Sequence, residues 1–350
     1  MITPNANANI QNDMLLDTKD ALASKRPILT HLNADTTWLL QLPRTQKPDN
    51  WNSRSHYNIL IDPWFRGRQS DVAFWFSSQW HAIRSSIQTI AQLNKFLGVT
   101  QNTDDCVTNL IDAVIVSHEF TDHCHKRTLL EVDPKVPVFA TTKAALLIRA
   151  WKHFRTVLEP APFSSKLPDW RTTSSLPLPD WIGISRIVTE SDALYYHSAI
   201  MITFSLGGKP SSQYETQDPA EAVIYTPHGI HAQDLRCLDS AYPPIETLTL
   251  MHGLHDVKVS AKQLNLGAHN GLQAQRICRA KYWVSTHDEV KKAKGFIAPI
   301  LFRKVWTLRD AMEEETRQNE TGSLEEGSEL SVMADVNFAE LKNGESIALR

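Results

Sequence analysis

Closely spaced cysteines are missing from this chain. The four that exist, Cys106, Cys124, Cys237 and Cys278, are scattered over 350 residues. That excludes a zinc ribbon and a C-x-x-C redox pair, and it favours a reducing compartment over a disulfide framework. A surplus of charge is missing as well. Lys and Arg number 36 against 39 Asp and Glu, for a net charge of -3, so there is no broad basic field of the kind that nucleic acid or an anionic membrane requires. No run is apolar for long enough to cross a bilayer. The opening MITPNANANIQNDMLLDTKDA has neither the basic start nor the apolar core of a secretory signal. Together these absences predict a soluble, cytoplasmic protein that acts on a small molecule, with no nucleic-acid partner and no membrane insertion. Oligomeric state is left open.

Hydrophobic residues make up 42% of the chain, enough for a sizeable core, and histidine is plentiful at 14 copies. Residues 1–30 are polar and weakly periodic and predict a loose arm. The main domain is expected over 31–310, with strands at 36–42, 58–62, 111–116, 136–140, 199–205, 222–226, 247–251 and 282–285. Helical spacing predicts helices over 81–98 (closed by Gly98), 142–154 and 270–280. The Pro-, Ser- and Trp-rich stretch 156–182 reads as a connection. Residues 311–350 are expected to form an acidic solvated loop (313–330) and a C-terminal hairpin turning at Lys342-Asn343-Gly344-Glu345, packed on the same domain. Strands first, then strand–loop–helix units, then strands again suits an α+β fold of two sheets sandwiched between helices.

The chemistry concentrates where strands end. The run IDAVIV leads directly into Ser117-His118-Glu119-Phe120-Thr121-Asp122-His123. A loop at the carboxyl edge of a sheet is where open α/β folds keep their sites. Imidazole nitrogen and carboxylate oxygen suit zinc, iron or manganese. His228 follows the strand AVIYT, His287 follows YWVS, Asp62 closes NILI, and His197 precedes AIMITFS. Five strand ends therefore each deliver a candidate ligand or a residue that supports one, and histidines placed for packing alone would not fall so regularly.

This pattern resembles the metallo-β-lactamase superfamily over roughly residues 30–300. The resemblance implies an αββα sandwich with its metal site at one edge of the two sheets. Asp62 matches the family's first aspartate. His118, Asp122 and His123 match three of four positions of the His-x-His-x-Asp-His motif, His197 matches the next histidine and His287 the last. Ile59-Leu60-Ile61-Asp62-Pro63-Trp64 looks like the lactonase-like and phospholipase-D-like branch, and Thr286-His287-Asp288-Glu289 resembles an end motif of its fungal and plant members.

Two positions depart from the family. Phe120 stands where the motif's second histidine belongs, and His228 stands where a bridging aspartate belongs. Two partitions of the ligands follow. One metal can sit on Asp122, His123 and His287 with His228 as a fourth ligand. Alternatively, His228 joins His118 and His197 in a second, three-histidine site. One firmly bound ion is preferred, because no anionic bridge offsets the repulsion between two.

The resemblance implies a hydrolase in which a metal-activated water attacks an ester, lactone, thioester or phosphodiester. Zinc is the expected ion, with iron or manganese as alternatives and one or two ions in all. Asp122 is expected to bind the metal or hold the water, Asp62 to orient a histidine, and His228 or Tyr196 to protonate the leaving group. Two other readings stand beside this one. The first is a non-hydrolytic metal enzyme such as an iron oxygenase. The second is a degenerate member that binds a ligand without catalysis, for which Phe120 is the main support.

Overall fold

The computed structural model describes residues 14–15, 18–44, 54–71, 73, 75–103, 109–188, 196–206, 220–296, 298–320 and 337–350. The first sheet is built from β1 (Ile28–His31), β2 (Trp38–Pro43), β3 (His56–Ile61), β4 (Ala113–Val116), β5 (Val138–Ala140) and β6 (Val157–Leu158). The second contains β7 (Ala161–Pro162), β8 (Ile182–Val188), β9 (Ser198–Phe204), β10 (Ala220–Thr226), β11 (Ile245–His252), β12 (Tyr282–Val284) and β13 (Asn337–Ala339). A last strand, β14 (Ser346–Ala348), returns to the first sheet. The spatial orders are β14-β1-β2-β3-β4-β5-β6 and β13-β12-β11-β10-β9-β8-β7. Both sheets are mixed. The first runs parallel from β3 to β6, and the second runs parallel from β10 to β13.

Alternation of side chains decides what each face meets. From β4, Ala113 and Ile115 turn inward and join Leu40, Ile59 and Ile61 against Ile200, Ile202, Val223 and Met251 of the opposite sheet. Val114 and Val116 turn outward with Leu39 and Leu60, beneath Leu93 and Leu97 of α1 (Ile90–Gln101) and Ala144 and Ile148 of α3 (Thr142–Ala150). The short α2 (Lys126–Leu129) lies between those two helices in sequence. On the far side, Met201, Ile224 and Leu250 meet Ala274 and Cys278 of α4 (Ala268–Cys278) and Leu235 of the 3-10 segment Ala232–Ser240. Covered on both faces, the parallel strands read as continuous apolar runs. The result is the expected αββα sandwich.

Several boundaries differ from expectation. The helix predicted over 81–98 begins only at Ile90, where the Thr89 hydroxyl accepts from Gln92 N–H. The preceding residues are committed elsewhere: Ser85 Oγ donates to Phe65 O and Ser86 Oγ to Leu32 O. That helix closes at left-handed Asn102 rather than at Gly98. The predicted connection 156–182 holds the short edge strands β6 and β7 and runs into β8, a strand next to the sheet edge that the sequence reading did not include. Part of the predicted N-terminal arm is ordered, with a helical stretch at 18–23 and the first three residues of β1.

The predicted acidic loop begins inside α5 (Leu308–Glu320), which Glu315 ties to Arg276 of α4 through two contacts of 2.6 Å. Residues 321–330 lie outside the described residues. The predicted C-terminal hairpin does not form. Its turn exists, with Gly344 at φ 97° and Glu345 N–H donating to Lys342 O. Its two strands, however, pair with β12 and β1 on opposite sheets. No helix among the described residues is long and apolar enough to cross a membrane.

Candidate metal centre

The carboxyl ends of the parallel strands of both sheets meet at one rim, and the chemistry-bearing residues leave from there. Asp62 directly follows β3 with φ 44°, and His287 follows β12 with φ 63°. Both are buried non-glycine residues in the left-handed region, which costs roughly 1–3 kcal/mol each and persists where surroundings over-determine it. At the end of β10 the chain turns through Pro227-His228-Gly229. Gly229 has φ 83° and no room for a side chain, since a Cβ would stand 2.6 Å from Leu266 Cβ.

Asp62 is the anchor of the first sheet's contribution. Its carboxylate accepts from Ser117 N–H (2.7 Å), Ser117 Oγ (2.5 Å), Tyr225 OH (2.8 Å) and His123 Nδ1 (2.7 Å). Tyr225 comes from β10, so this one carboxylate is shared by both sheets. His228 is held by Nδ1 on Asn265 Oδ1 at 2.9 Å, and His287 by Nδ1 on Asp35 Oδ1 at 3.0 Å. Each of these three rings commits Nδ1–H to an oxygen acceptor, which assigns its tautomer and leaves Nε2 for the interior. Ring centroids of His123, His228 and His287 lie 5.0–5.1 Å apart pairwise.

Donor atoms converge in two groups that share His123: His118, His123 and His228, and Asp122, His123 and His287. Within each, the ligand atoms lie within 4.8 Å of one another, and every residue is buried. The fit to a cation is tested by one contact. His123 Nε2 and His228 Nε2 face each other at 3.0 Å. With both Nδ1 atoms committed as donors, two lone pairs would oppose each other unless a proton or metal ion lies between them. The residues present fit a metal.

The electrostatics are consistent with this. Burial drives His118 and His228 well below the usual histidine range, and the neighbouring histidines push the same way. Burial also lowers His287. At His123 burial works against the charged ring, but the carboxylates of Asp122 and Asp62 outweigh it and the pKa is raised. Burial likewise opposes ionisation of Asp122, yet Lys291, His123 and His287 hold its carboxyl well below the ordinary range.

Of the residues singled out from sequence, Asp62, His118, Asp122, His123, His228 and His287 are brought together. His197 stands apart from both donor groups, its ring set edge-on to His231 at 5.7 Å. The segment before β9 reaches the cluster through a carbonyl instead, as Tyr196 O takes His118 Nε2 at 3.0 Å. Phe120 lies half-buried over the cluster, 6.1 Å from the His118 ring, 5.9 Å from His228 and 5.1 Å from Tyr196. Cys124 is a buried thiol, and His125 caps α2 by accepting from Thr128 N–H.

Sequence reasoning missed Asp35, Lys291, Asn265 and the part played by Tyr225. Lys291 is the most consequential. Its ammonium lies 2.6 Å from Asp35 Oδ2 and 2.8 Å from Asp122 Oδ2, and sits 5.4 Å from the centre of the Trp64 ring. Only its place four residues beyond His287 offered a signal. A cleft of about 330 Å³ between α4, α5 and the strand Leu301–Lys304 is lined by Lys258, His269, Trp306 and Glu314 among others, and shares no residue with the histidine cluster.

No protein-family model matches the chain, and no curated protein matches it in sequence. Solved structures do match. A possible metal-dependent hydrolase from Veillonella parvula DSM 2008 is similar over 93% of this chain and 100% of its own, at 13% identity and a TM-score of 0.51. An isothiocyanate hydrolase from Delia radicum gut bacteria is similar over 92% and 99%, at 13% identity and a TM-score of 0.50. The metallo-β-lactamase fold protein YhfI from Bacillus subtilis is similar over 92% and 99%, at 13% identity and a TM-score of 0.47. The chain shares the fold of the first two of these proteins, an αββα sandwich. Within that fold the rim shared by the two sheets is where this chain gathers its histidines, and both departures seen in the sequence, Phe120 and His228, lie at that rim.

Proposed function

We propose that this chain is a metal-dependent hydrolase acting on an ester, lactone, thioester or phosphodiester. The observation that carries the reading is the pair of opposed Nε2 atoms of His123 and His228, each fixed from behind by a hydrogen-bond acceptor. Such backing is what orients metal-binding histidines and raises their basicity. His118, His123 and His228 would hold the ion, with Asp122 and His287 on its other side. Bound there, a metal such as zinc, iron or manganese would lower the pKa of a water and polarise a carbonyl or phosphoryl oxygen.

The chain's own residues supply the rest. Asp122 keeps Oδ2 on Lys291 and has Oδ1 3.8 Å from His123 Nε2, so Oδ1 is the atom that accepts a proton from an attacking water. Phe120 and Tyr196 form an aromatic lip that limits water at the His118 and His228 side. His228, engaged at both nitrogens, serves as a holder of the ion rather than as the acid for the leaving group. The test is elemental analysis of purified protein, followed by turnover of a panel of the four substrate classes with and without chelator. Stoichiometric metal and a chelator-sensitive activity are expected. Protein that neither carries nor takes up zinc, iron or manganese overturns the reading.

A further inference from the structure

We infer that Lys291 is a tethered cation standing in for a second metal ion, so that the centre binds one metal, on His118, His123 and His228. The inference rests on the metal-dependent reading above and deepens it. Two donor groups converge here, and a chain with two such groups invites two ions. They are not equivalent. The Asp122, His123 and His287 group has a single carboxylate, and its Oδ2 is already engaged by the Lys291 ammonium at 2.8 Å. The same ammonium bonds Asp35 Oδ2 at 2.6 Å, while Asp35 Oδ1 holds His287 Nδ1 at 3.0 Å. Lys291, Asp35, His287 and Asp122 therefore form a closed ring around the second group, with a cation already in it.

Charge repulsion disfavours a further ion at that place. Metal–oxygen bonds are about 2.0–2.2 Å long. An ion on Asp122 Oδ2 would lie no more than about 5 Å from the ammonium, inside a buried region where charge repulsion is poorly screened. The Lys291 side chain is only 4% exposed and the Asp35 side chain 0%, so the ammonium has no solvent to retreat into. Its head lies over the Trp64 ring, 5.4 Å from the centroid, which fixes it further. The three-histidine group holds no such cation among the described residues; the neutral carbonyl oxygen of Tyr196, 3.0 Å from His118 Nε2, is what meets it there.

The test counts metal by elemental analysis after zinc loading and desalting of the full chain. Wild type is expected to hold one zinc per chain, and Lys291→Met two. Because Lys291→Met leaves Asp35 and Asp122 uncompensated and can fail to fold, Lys291→Met/Asp35→Asn, which removes one charge of each sign, is measured beside it with the same expectation. In the wild-type background, His228→Ala is expected to lose the ion and His287→Ala to keep it. Two zinc ions in wild type, one in the folded lysine variants, or loss on His287→Ala with retention on His228→Ala overturns the inference while leaving the metal-dependent reading intact. A wild type that takes up neither zinc nor, on the same loading, iron or manganese removes both.

Discussion

The two histidines that face each other across the rim are backed differently, and the difference explains how one site can be both firm and reactive. His123, from the first sheet, rests on the carboxylate of Asp62. His228, from the second, rests on the neutral amide of Asn265. The carboxylate makes its ring a stronger base, the amide only orients. Asp62 also accepts from Ser117 and, across the sandwich, from Tyr225, so the first side is tied into both sheets. The second side depends on Asn265, at the end of a short strand, and on the Gly229 turn. One side is rigid and charged, the other adjustable and neutral.

Breaking the rigid side should have the largest effect. Asp62→Ala leaves the buried His123 Nδ1 without its acceptor and Tyr225 with only the Thr36 carbonyl. It is expected to lower unfolding free energy by about 3–5 kcal/mol and metal affinity by about 100-fold, read by denaturant unfolding and by zinc titration. Acid tests both sides at once in metal-free protein. His118, His228 and His287 have folded pKa values below the ordinary 6.5, so the unfolded chain takes up protons that the folded chain refuses, and stability falls as pH drops below about 6.5. His123, raised, contributes in the opposite sense, being stabilising at low pH and losing that contribution as pH climbs through its folded value. Asp288, which burial pushes up to about 7, also favours the folded state at lower pH.

The lowered histidines outnumber the raised one, and buried His31 and His252 are lowered as well. The denaturation midpoint is therefore expected to fall between pH 7.5 and 5.5, and a flat or rising midpoint would refute this balance. The smallest effect belongs to the adjustable side. Asn265→Ala is expected to cost about 1–2 kcal/mol and roughly tenfold in zinc affinity, clearly less than Asp62→Ala. Equal losses at the two positions would erase the contrast between the sides.

What the sequence made legible follows from the same physics. Asp62, His118, Asp122, His123, His228 and His287 stand at or just after strand ends, where an apolar run stops and a polar residue must face a rim, so composition alone marks them. Asp35 and Lys291 sit in loops and acquire their roles only because the loop after β1 and the segment after His287 fold onto each other. Nothing local distinguishes that lysine from a solvated one. Asn265 lies on a short strand of a small separate sheet, with no periodicity to signal it. His197 carried a correct-looking position but the wrong direction, since the ring turns to His231 while its neighbour's carbonyl faces the cluster. The C-terminal turn was legible and its pairing was not. A Lys-Asn-Gly-Glu reversal says the chain turns, while which edges the flanking residues join depends on sheets assembled from residues about 50 to more than 300 positions away.

That last segment has a consequence of its own. Open sheet edges are templates for adding strands from other molecules, and a sandwich of two open sheets has such edges in duplicate. Here β13 covers the outer side of β12 and β14 covers the outer side of β1, and only six residues separate the two strands. The same short stretch is thus a clasp that guards both layers together, and losing it would leave two flanks, not one, available to strangers.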